Sequence, residues 1–434
     1  MGQGGYLLFN NTTDYPLNRY YIHSNQLYNW KGSFQPVLAP RTSAKFYLET
    51  DDSILEAHNT TVGEANYNVG DTGEHLFFSF SRNGQDSQRC IWGSMDTKTP
   101  THNLYTEPSG PLGWVHDGWV SLVLRKGSPV SCHNWMKKIP DSVNLAELSI
   151  PGTHESGALH EPAGGTAKTQ NLSIPQQLDF GIRFLDIRCS VSENEHALLI
   201  FHGKQPFAVY QEQNFDDVLN ACANFLNANP SETILMRVRN EGENKEEQFC
   251  NLFGLYEKSM VDVKTRRTDL FFPDASLPYK KFPNLGAARG RIVLLRNFGL
   301  SWPPGEPPCM SGIYYGDEDF FVIEDNYEIK IDNVIQHYDA SEKWKSTTDA
   351  IQNRAHTPNN DKLSIIYTSG YFAIKIPFTD KVMPDILGVV NYVNPRLLEW
   401  AAGAQIFNWG VFPMDFVEPL TARFIYMTNR WLNE

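Results

Sequence analysis

The spacing of hydrophobic and polar residues changes about a third of the way along this chain. Up to residue 128, short stretches rich in aromatic and β-branched residues are separated by clusters of Gly, Asn, Asp and Pro. These stretches include "GYLLFN", "SAKFYLE", "HLFFSFS" and "GWVSLVLRKG", and no helical repeat of useful length lies between them. Evenly spaced short strands are typical of a β-sandwich. Residues 1–128 are therefore predicted to form an all-β domain.

After a transition at about residues 128–135, apolar strands alternate with helical runs such as "FDDVLNACANFLNANP". The predicted strands cover residues 145–150, 181–189, 197–202, 233–240, 290–297, 363–369 and 404–416. This alternation predicts an α/β domain over residues 134–434, a distorted TIM-type (β/α)8 barrel with its site at the C-terminal ends of the strands. An open doubly wound sheet is the alternative, but the sequence contains no GxGxxG or GxxxxGK[ST] loop.

Composition and charge narrow the possible partners. The chain has 434 residues, of which 41% are hydrophobic and 20% charged, as in a folded globular protein. Its net charge of −13 would repel polyanions, so no nucleic-acid partner is expected. Neither a signal peptide nor a transmembrane run is recognisable, which leaves the compartment open between secretion and peripheral membrane contact. The six cysteines contain no CxxC pair, so no zinc site is indicated.

Candidate chemistry gathers where the predicted strands end. The side chains at these positions are His154, Asp186, Arg188, His202, Arg239 and Asp415. Asp186 and Arg188 are two residues apart and therefore share a face of their strand. A lone histidine at a strand end is more often structural than catalytic. Two imidazoles together with carboxylates and guanidinium groups favour acid–base catalysis on a phosphate diester.

One long segment then resembles a known family. "WMKKIPDSVNLAELSIPGTHESG" is similar to the opening of the bacterial-type phosphatidylinositol-specific phospholipase C catalytic domain (the X-domain family), whose hallmark is a PGTHDS-like turn. The similarity continues in order through "LDFGIRFLDIRC", "FHG", "FLNANPSETILMRV", "ARGRIVLL", "VIEDNY", "YTSGYF", "YVNPRLLEW" and "PMDF", over about residues 134–420. The resemblance implies a monomeric enzyme at a membrane surface. It would cleave inositol phospholipid to diacylglycerol and inositol 1,2-cyclic phosphate, with no cofactor and no metal.

The resemblance also assigns the proton transfers. His154 matches the general base, held by the carboxylate that matches Asp415, and His202 matches the general acid. Glu155 stands where the family usually has an aspartate that orients the acid histidine. The extra methylene must be accommodated, or the second proton transfer would suffer. If Glu155 only orients His202, Glu155→Asp should be neutral or mildly activating, whereas a large loss would mean that the longer side chain is built into the site.

The same resemblance assigns the substrate contacts. Arg188 matches the arginine that binds the phosphate, and Asp186 matches the carboxylate of the same strand. Arg239 replaces a lysine that contacts inositol, while Asp325 and Tyr327 match residues that bind the ring and stack on it. The sequence around "EDNY" lacks a cluster of extra Lys and Arg, so a lightly phosphorylated headgroup is expected.

One departure from the family pattern bears on which lipid headgroup the protein accepts. The position of an inositol-binding arginine holds Asn297, with Arg296 beside it, and Arg296 could substitute only if a β-bulge turned it to the other face. The alternatives are therefore a phosphodiesterase for another lipid headgroup, or a non-catalytic phosphoinositide-binding protein. The segments 299–321 and 371–378 are candidates for contact with lipid or substrate.

The N-terminal domain is faintly similar to the aegerolysin family of lipid-binding β-sandwiches, through "QLYNWKGSFQP", "RCIWGSMDTKT" and "VSLVLRKGS". That similarity implies a lipid-binding or membrane-binding module. The alternative is a domain that only covers part of the barrel or binds a protein partner.

Overall fold

The computed structural model divides the chain into two compact units. The first unit contains Met1–Pro129 and Leu398–Gln405. The predicted boundary at a single point in the sequence did not assign the second of these segments to this unit. The second unit contains Val130–Leu397 and Ile406–Leu432. The structure describes residues 3–50, 62–82, 89–95, 102, 104–107, 110–111, 119–127, 129–161, 167–203, 208–242, 245–257, 269–273, 281–299, 312–331, 339–356, 361–375, 382–404 and 407–432.

The first unit is built from short strands. In chain order they are β1 (Gln3–Asn11), β2 (Leu17–Asn25), β3 (Leu27–Tyr28), β4 (Val37–Leu38), β5 (Thr42–Thr50), β6 (Val62–Val69), β7 (His75–Arg82), β8 (Arg89–Met95), β9 (Leu104–Glu107), β10 (Gly110–Pro111) and β11 (Trp119–Lys126). One short helix, α1 (Trp30–Ser33), lies between β3 and β4. Buried and partly exposed residues alternate along β6, as they do in a strand with one face in a core.

Two sheets of the first unit share one apolar core. The five-stranded sheet has the order β3-β5-β1-β11-β9, and the six-stranded sheet has the order β10-β8-β7-β6-β2-β4. Phe9 and Phe46 come from the first sheet, and Tyr67 and Phe78 come from the second, into the same cluster. The rings of Phe9 and Phe78 meet edge to face with centroids 5.1 Å apart. Such aromatic pairs stabilise a core beyond the area that they bury.

The second unit combines strands and helices. Its strands are β12 (Ser149–Thr153), β13 (Phe184–Val191), β14 (Leu198–His202), β15 (Val209–Asn214), β16 (Ile234–Asn240), β17 (Ile292–Asn297), β18 (Ile313–Tyr314), β19 (Phe321–Glu324), β20 (Glu328–Ile331), β21 (Leu363–Ile366), β22 (Tyr371–Lys375), β23 (Val382–Asp385) and β24 (Gly410–Met414). Its helices are α2 (Ile174–Asp179), α3 (Phe215–Ala228), α4 (Glu246–Glu257), α5 (Leu285–Ala288), α6 (Ser341–His356), α7 (Ile386–Gly403) and α8 (Pro419–Met427), with 3-10 helices at Cys132–Lys138, Leu145–Glu147 and Arg430–Leu432. Within the described ranges, no helix is both long and apolar enough to cross a bilayer.

Eight parallel strands of the second unit form one curled sheet in the order β18-β17-β16-β13-β12-β24-β21-β19. This is the cyclic order of a TIM-type barrel, with no ladder between β18 and β19 among the described residues. The two ends of the sheet still meet in one core, because the rings of Tyr315 and Phe321 lie 5.3 Å apart. The prediction of a parallel α/β domain related to the TIM barrel is confirmed.

Three predicted strands need correction. The stretch 145–150 begins as a 3-10 helix, because Asn144 caps it by accepting from the Ala146 N–H, and β12 starts only at Ser149. The stretch 404–416 is a strand only over Gly410–Met414. Strand β14 is not a barrel strand: it runs antiparallel to β13 and forms a hairpin with β15.

The segment 371–378 is also different from its prediction. Its described part is β22, the middle strand of a small sheet with the order β20-β22-β23. Phe372 and Ile374 are buried there, and they pack with Val389 and Val393 of α7 in a separate apolar cluster. The side chains of Phe372 and Ile374 are therefore used in packing. In the other candidate segment, 299–321, residues 300–311 lie outside the described residues.

Candidate active site

The "PGTHESG" turn leaves β12 at the C-terminal edge of the parallel sheet and is held by hydrogen bonds. The His154 N–H donates to the carbonyl of Met414 at 3.0 Å. The Gln170 amide donates to the carbonyls of His154 and Met414 at 2.9 and 2.7 Å. Gly152 is required for the close approach of β12 and β13, because a Cβ atom there would lie 2.8 Å from the Phe184 ring. The turn therefore places His154 on a rigid edge.

His154 is paired with Asp415 as the sequence predicts. Thr153 is in register with Met414, so the next residue of each strand stands beside the other. His154 Nδ1 lies 2.8 Å from Asp415 Oδ1, and the Arg188 guanidinium approaches His154 Nε2 at 2.9 Å. Because a guanidinium only donates, Nε2 carries the lone pair and Nδ1–H donates to Asp415. Burial opposes a charged imidazole, but Asp415 outweighs it and raises the pKa of His154.

Glu155 joins the two halves of the site. Its Oε1 lies 2.6 Å from Arg188 Nη1, and its Oε2 lies 2.6 Å from His202 Nδ1, in an ion-pair contact that is poorly aligned for a hydrogen bond. Burial raises its pKa, but Arg188 and His202 outweigh that effect and hold it well below the usual range. Glu155 also has a φ of 41°, which is costly for a residue with a side chain. Glu155 therefore contacts Arg188 as well as His202, and the sequence did not indicate the contact with Arg188.

His202 reaches the site by a route that the sequence did not indicate. It ends β14, whose Ile200 is in register with Cys189 of β13. The antiparallel direction of β14 brings the chain back alongside β13, so that His202 returns towards the position of Arg188. The side chains of His154 and His202 are each 18% exposed, which leaves both imidazoles accessible to a substrate.

Arg188 is the centre of the site. Its guanidinium contacts Glu155, Glu241 and Asp186 at 2.6, 3.2 and 3.4 Å, besides His154. Burial disfavours its charge, but the carboxylates outweigh burial and raise the pKa of Arg188. A fixed positive charge with N–H groups on two sides is suited to bind phosphate oxygens. Among the described residues, no group of three or more His, Cys, Asp or Glu side chains is placed to hold a metal ion.

A row of polar side chains extends from Arg188 across two further strands. Arg188 is in register with Arg239 on β16, and Arg239 is in register with Asn297 on β17, so all three share one face. No register shift occurs between β16 and β17, and Arg296 therefore points to the other face, where its guanidinium donates to the Phe298 carbonyl at 3.0 Å. The substrate-binding role expected for Arg296 is not supported by this placement. Asn297 occupies the row instead.

Asp325 and Tyr327 follow directly after β19, and both are exposed. The Tyr327 ring lies 5.9 Å from the ring of Tyr371, at the start of β22. Glu324, the last residue of β19, is paired at 3.2 Å with the fully buried ammonium of Lys343 on α6. This ion pair anchors the turn that carries Asp325 and Tyr327 at the same edge of the sheet.

Sequence reasoning missed three residues of this site. Glu241 is buried between Arg188 and Arg239, at 3.2 and 3.3 Å. Arg237 lies beneath Asp186, and the Tyr367 ring stands perpendicular to His154 with centroids 5.8 Å apart. Arg237 is two residues before Arg239 and Glu241 is two residues after it, so strand alternation could have identified both.

Known proteins share this arrangement of strands. Residues 149–297 match the family described as phosphatidylinositol-specific phospholipase C, X domain. A 1-phosphatidylinositol phosphodiesterase of Listeria monocytogenes is 28% identical over 343 residues, which cover 76% of this chain and 94% of the relative.

Two solved structures are also similar. The phosphatidylinositol-specific phospholipase C of Listeria monocytogenes superposes with a TM-score of 0.52 and 26% identity, over 69% of this chain and 99% of the other. The Staphylococcus aureus enzyme, in a structure that concerns modulation of its membrane binding, has a TM-score of 0.52 and 21% identity, over 69% and 98%; this match shows the fold alone. Residues 149–297, the segment that matches the X-domain model, form β12 to β17 and carry His154, Arg188 and His202.

Proposed function

We propose that this protein is a phosphatidylinositol-specific phospholipase C that acts by two-histidine acid–base catalysis. The observation that carries the proposal is the set of contacts in which Glu155 touches both Arg188 and His202, while Arg188 touches His154. A base, an acid and a phosphate-binding cation are thus linked at one edge of the sheet. The names of the bacterial relatives support an inositol phospholipid as the substrate. All of these side chains come from one chain, so a monomer is sufficient.

The first step begins with an exchange of partners at Arg188. Arg188 Nη2 lies 2.9 Å from His154 Nε2 and donates to its lone pair. The phosphate of the lipid takes the guanidinium N–H groups, and Nε2 is then free to accept the proton of the inositol 2-hydroxyl. The 2-oxygen attacks phosphorus in line, since the nucleophile is held within the same headgroup.

The leaving group departs with a proton from His202. The P–O bond to glycerol breaks as the O2–P bond forms, and His202 protonates the glycerol oxygen to give diacylglycerol. Glu155 Oε2, 2.6 Å from His202 Nδ1, orients the imidazole for this transfer. The water-soluble product is inositol 1,2-cyclic phosphate, and the two imidazoles with exchanged roles then activate water to open the ring more slowly.

We place the inositol ring along the row of Arg188, Arg239 and Asn297. Register puts these side chains on one face, while Asp325 and Tyr327 extend from the edge after β19. Asn297 stands where the resembling family has an arginine, and this specific difference favours a second candidate substrate, an inositol lipid with a modified headgroup such as a glycosylated one. Turnover of unmodified phosphatidylinositol, its 4-phosphate, a glycosylated form and phosphatidylcholine would rank the candidates. Turnover of phosphatidylcholine alone would contradict the inositol assignment.

We further propose that the first unit is a β-sandwich that binds membrane. Its two sheets share one core, and Tyr20 and Tyr21 of β2 are 50% and 44% exposed, side by side at a register shift of the strand. Aromatic side chains of this kind favour a membrane interface, and the net charge of −13 makes a general electrostatic attraction to anionic lipid ineffective.

The double variant Tyr20→Ala/Tyr21→Ala tests this membrane role. It should bind phosphatidylinositol vesicles more weakly while its activity on a monomeric short-chain substrate is retained. Val37→Ala, a change at another exposed apolar residue of the same sheet, is the matched control. Unchanged vesicle binding by the double variant would contradict the proposal.

A further inference from the structure

Arg237 is a buried cation beneath the site that the proposed mechanism does not use. Only 4% of its surface is exposed. Its Nη1 lies 3.3 Å from Asp186 and donates to the Tyr367 hydroxyl at 2.8 Å, and its guanidinium lies 4.2 Å above the Tyr315 ring. A buried guanidinium with this number of partners is held in one place.

Asp186 is shared between two arginines. It is fully buried, 3.3 Å from Arg237 and 3.4 Å from Arg188. Burial raises its pKa, but Arg237 and then Arg188 outweigh burial and lower it, so Asp186 is a carboxylate at neutral pH. Its N–H partner is the strained residue Glu155, whose backbone donates to Asp186 Oδ2 at 3.3 Å.

Without Arg237, the charges around the phosphate position would be unfavourable for an anion. Arg188 contacts three carboxylates, those of Glu155, Asp186 and Glu241. His202 shares Glu155, and Arg239 shares Glu241. Asp186 has no counterion besides Arg188 and Arg237 within salt-bridge distance in the described part of the site.

We propose that Arg237 is a positioning residue that neutralises Asp186, and thereby leaves Arg188 free to bind the phosphate of an anionic headgroup. Arg237 does not touch the substrate itself. It compensates a buried carboxylate whose charge would otherwise hold Arg188 and repel phosphate. The anionic headgroup is that of the proposed function, on which this inference rests.

The test compares ligands that differ in charge. Binding of inorganic phosphate, myo-inositol 1-phosphate and neutral myo-inositol is measured by calorimetry on the full chain. Arg237→Met is expected to lower the affinity for both phosphate-containing ligands about tenfold or more. The affinity for myo-inositol should be nearly unchanged. Arg237→Lys should restore most of the phosphate affinity. Equal weakening of charged and neutral ligands would show a merely structural role and overturn the proposal.

If Arg237→Met does not fold, a double variant that removes both charges of the Arg237–Asp186 pair still tests the proposal. The double variant Arg237→Met/Asp186→Asn removes both charges and should keep the wild-type ratio of phosphate to inositol affinity. Asp186→Asn alone leaves Arg237 uncompensated and should raise that ratio. If the ratio is the same in all these variants, the proposal is wrong. Wild-type protein that binds inorganic phosphate but neither inositol ligand would contradict the proposed function; the role of Arg237 would then be decided by phosphate affinity alone, which Arg237→Met should lower and Arg237→Lys should restore. Wild-type protein that binds none of the three would overturn both.

Discussion

Shortening Glu155 by one methylene group tests how the site is linked. Glu155 reaches Arg188 and His202 at 2.6 Å each from a residue of left-handed backbone conformation. Glu155→Asp draws the carboxylate back by about 1.5 Å, the length of one carbon–carbon bond. A carboxylate so withdrawn cannot keep both contacts, because the turn is held by the Gln170 hydrogen bonds and cannot follow.

The expected magnitude follows from the contact that is lost. A close pair of opposite charges in a site of this kind contributes about 1.5 kcal/mol or more, and each 1.4 kcal/mol is about a factor of ten in rate. If the lost contact is one that the transition state needs, kcat/KM should fall about 10- to 100-fold. Glu155→Gln keeps the side-chain length but removes the negative charge. Its kcat/KM should fall at least as far, because the carboxylate that contacts both Arg188 and His202 is lost.

The assay is kcat/KM on a monomeric short-chain phosphatidylinositol, with thermal unfolding as the control for folding. Glu195→Asp is the matched control. Glu195 also has a positive φ, of 59°, but within the described part of the chain its side chain forms an exposed ion pair with Lys245 and contacts no residue of the site. This variant should behave as wild type. Wild-type activity in Glu155→Asp would refute the linking role of Glu155.

Three other predictions concern the same site. His154→Ala and His202→Ala should each reduce kcat about 10²–10⁴-fold with unchanged unfolding temperature; a smaller loss would contradict their roles as base and acid. Asp415→Asn should move the acidic limb of the kcat/KM profile to lower pH, because Asp415 raises the pKa of His154 and the base must be deprotonated to act; an unmoved limb would contradict that pairing. Activity should persist in excess chelator, because Arg188 fixes a positive charge among three carboxylates; loss of activity that calcium alone reverses would contradict this.

Much of the site could be predicted because the proposed catalytic residues lie at strand ends. His154 and Asp415 follow strands that are in register, so both the alternation of strands and helices and the sequence motifs point to them. Asp186 and Arg188 are two residues apart on β13, and the two-residue period of a strand predicts that they share one face.

What could not be predicted depends on pairing across the chain. The direction of β14 cannot be read from "ALLIFH", because a short apolar run is the same in a parallel and an antiparallel strand. Whether Arg296 or Asn297 faces the substrate depends on the register of β16 and β17. The double contact of Glu155 depends on a left-handed φ, which its side-chain type does not indicate.

The two imidazoles should first form and then open a cyclic phosphate, and time-resolved phosphorus NMR tests this sequence of steps most directly. Wild-type protein incubated with phosphatidylinositol should release inositol 1,2-cyclic phosphate first and inositol 1-phosphate later, and His154→Ala should release neither at a comparable rate. Appearance of inositol 1-phosphate with no preceding cyclic phosphate, or no soluble phosphate at all from the wild-type protein, would contradict the account.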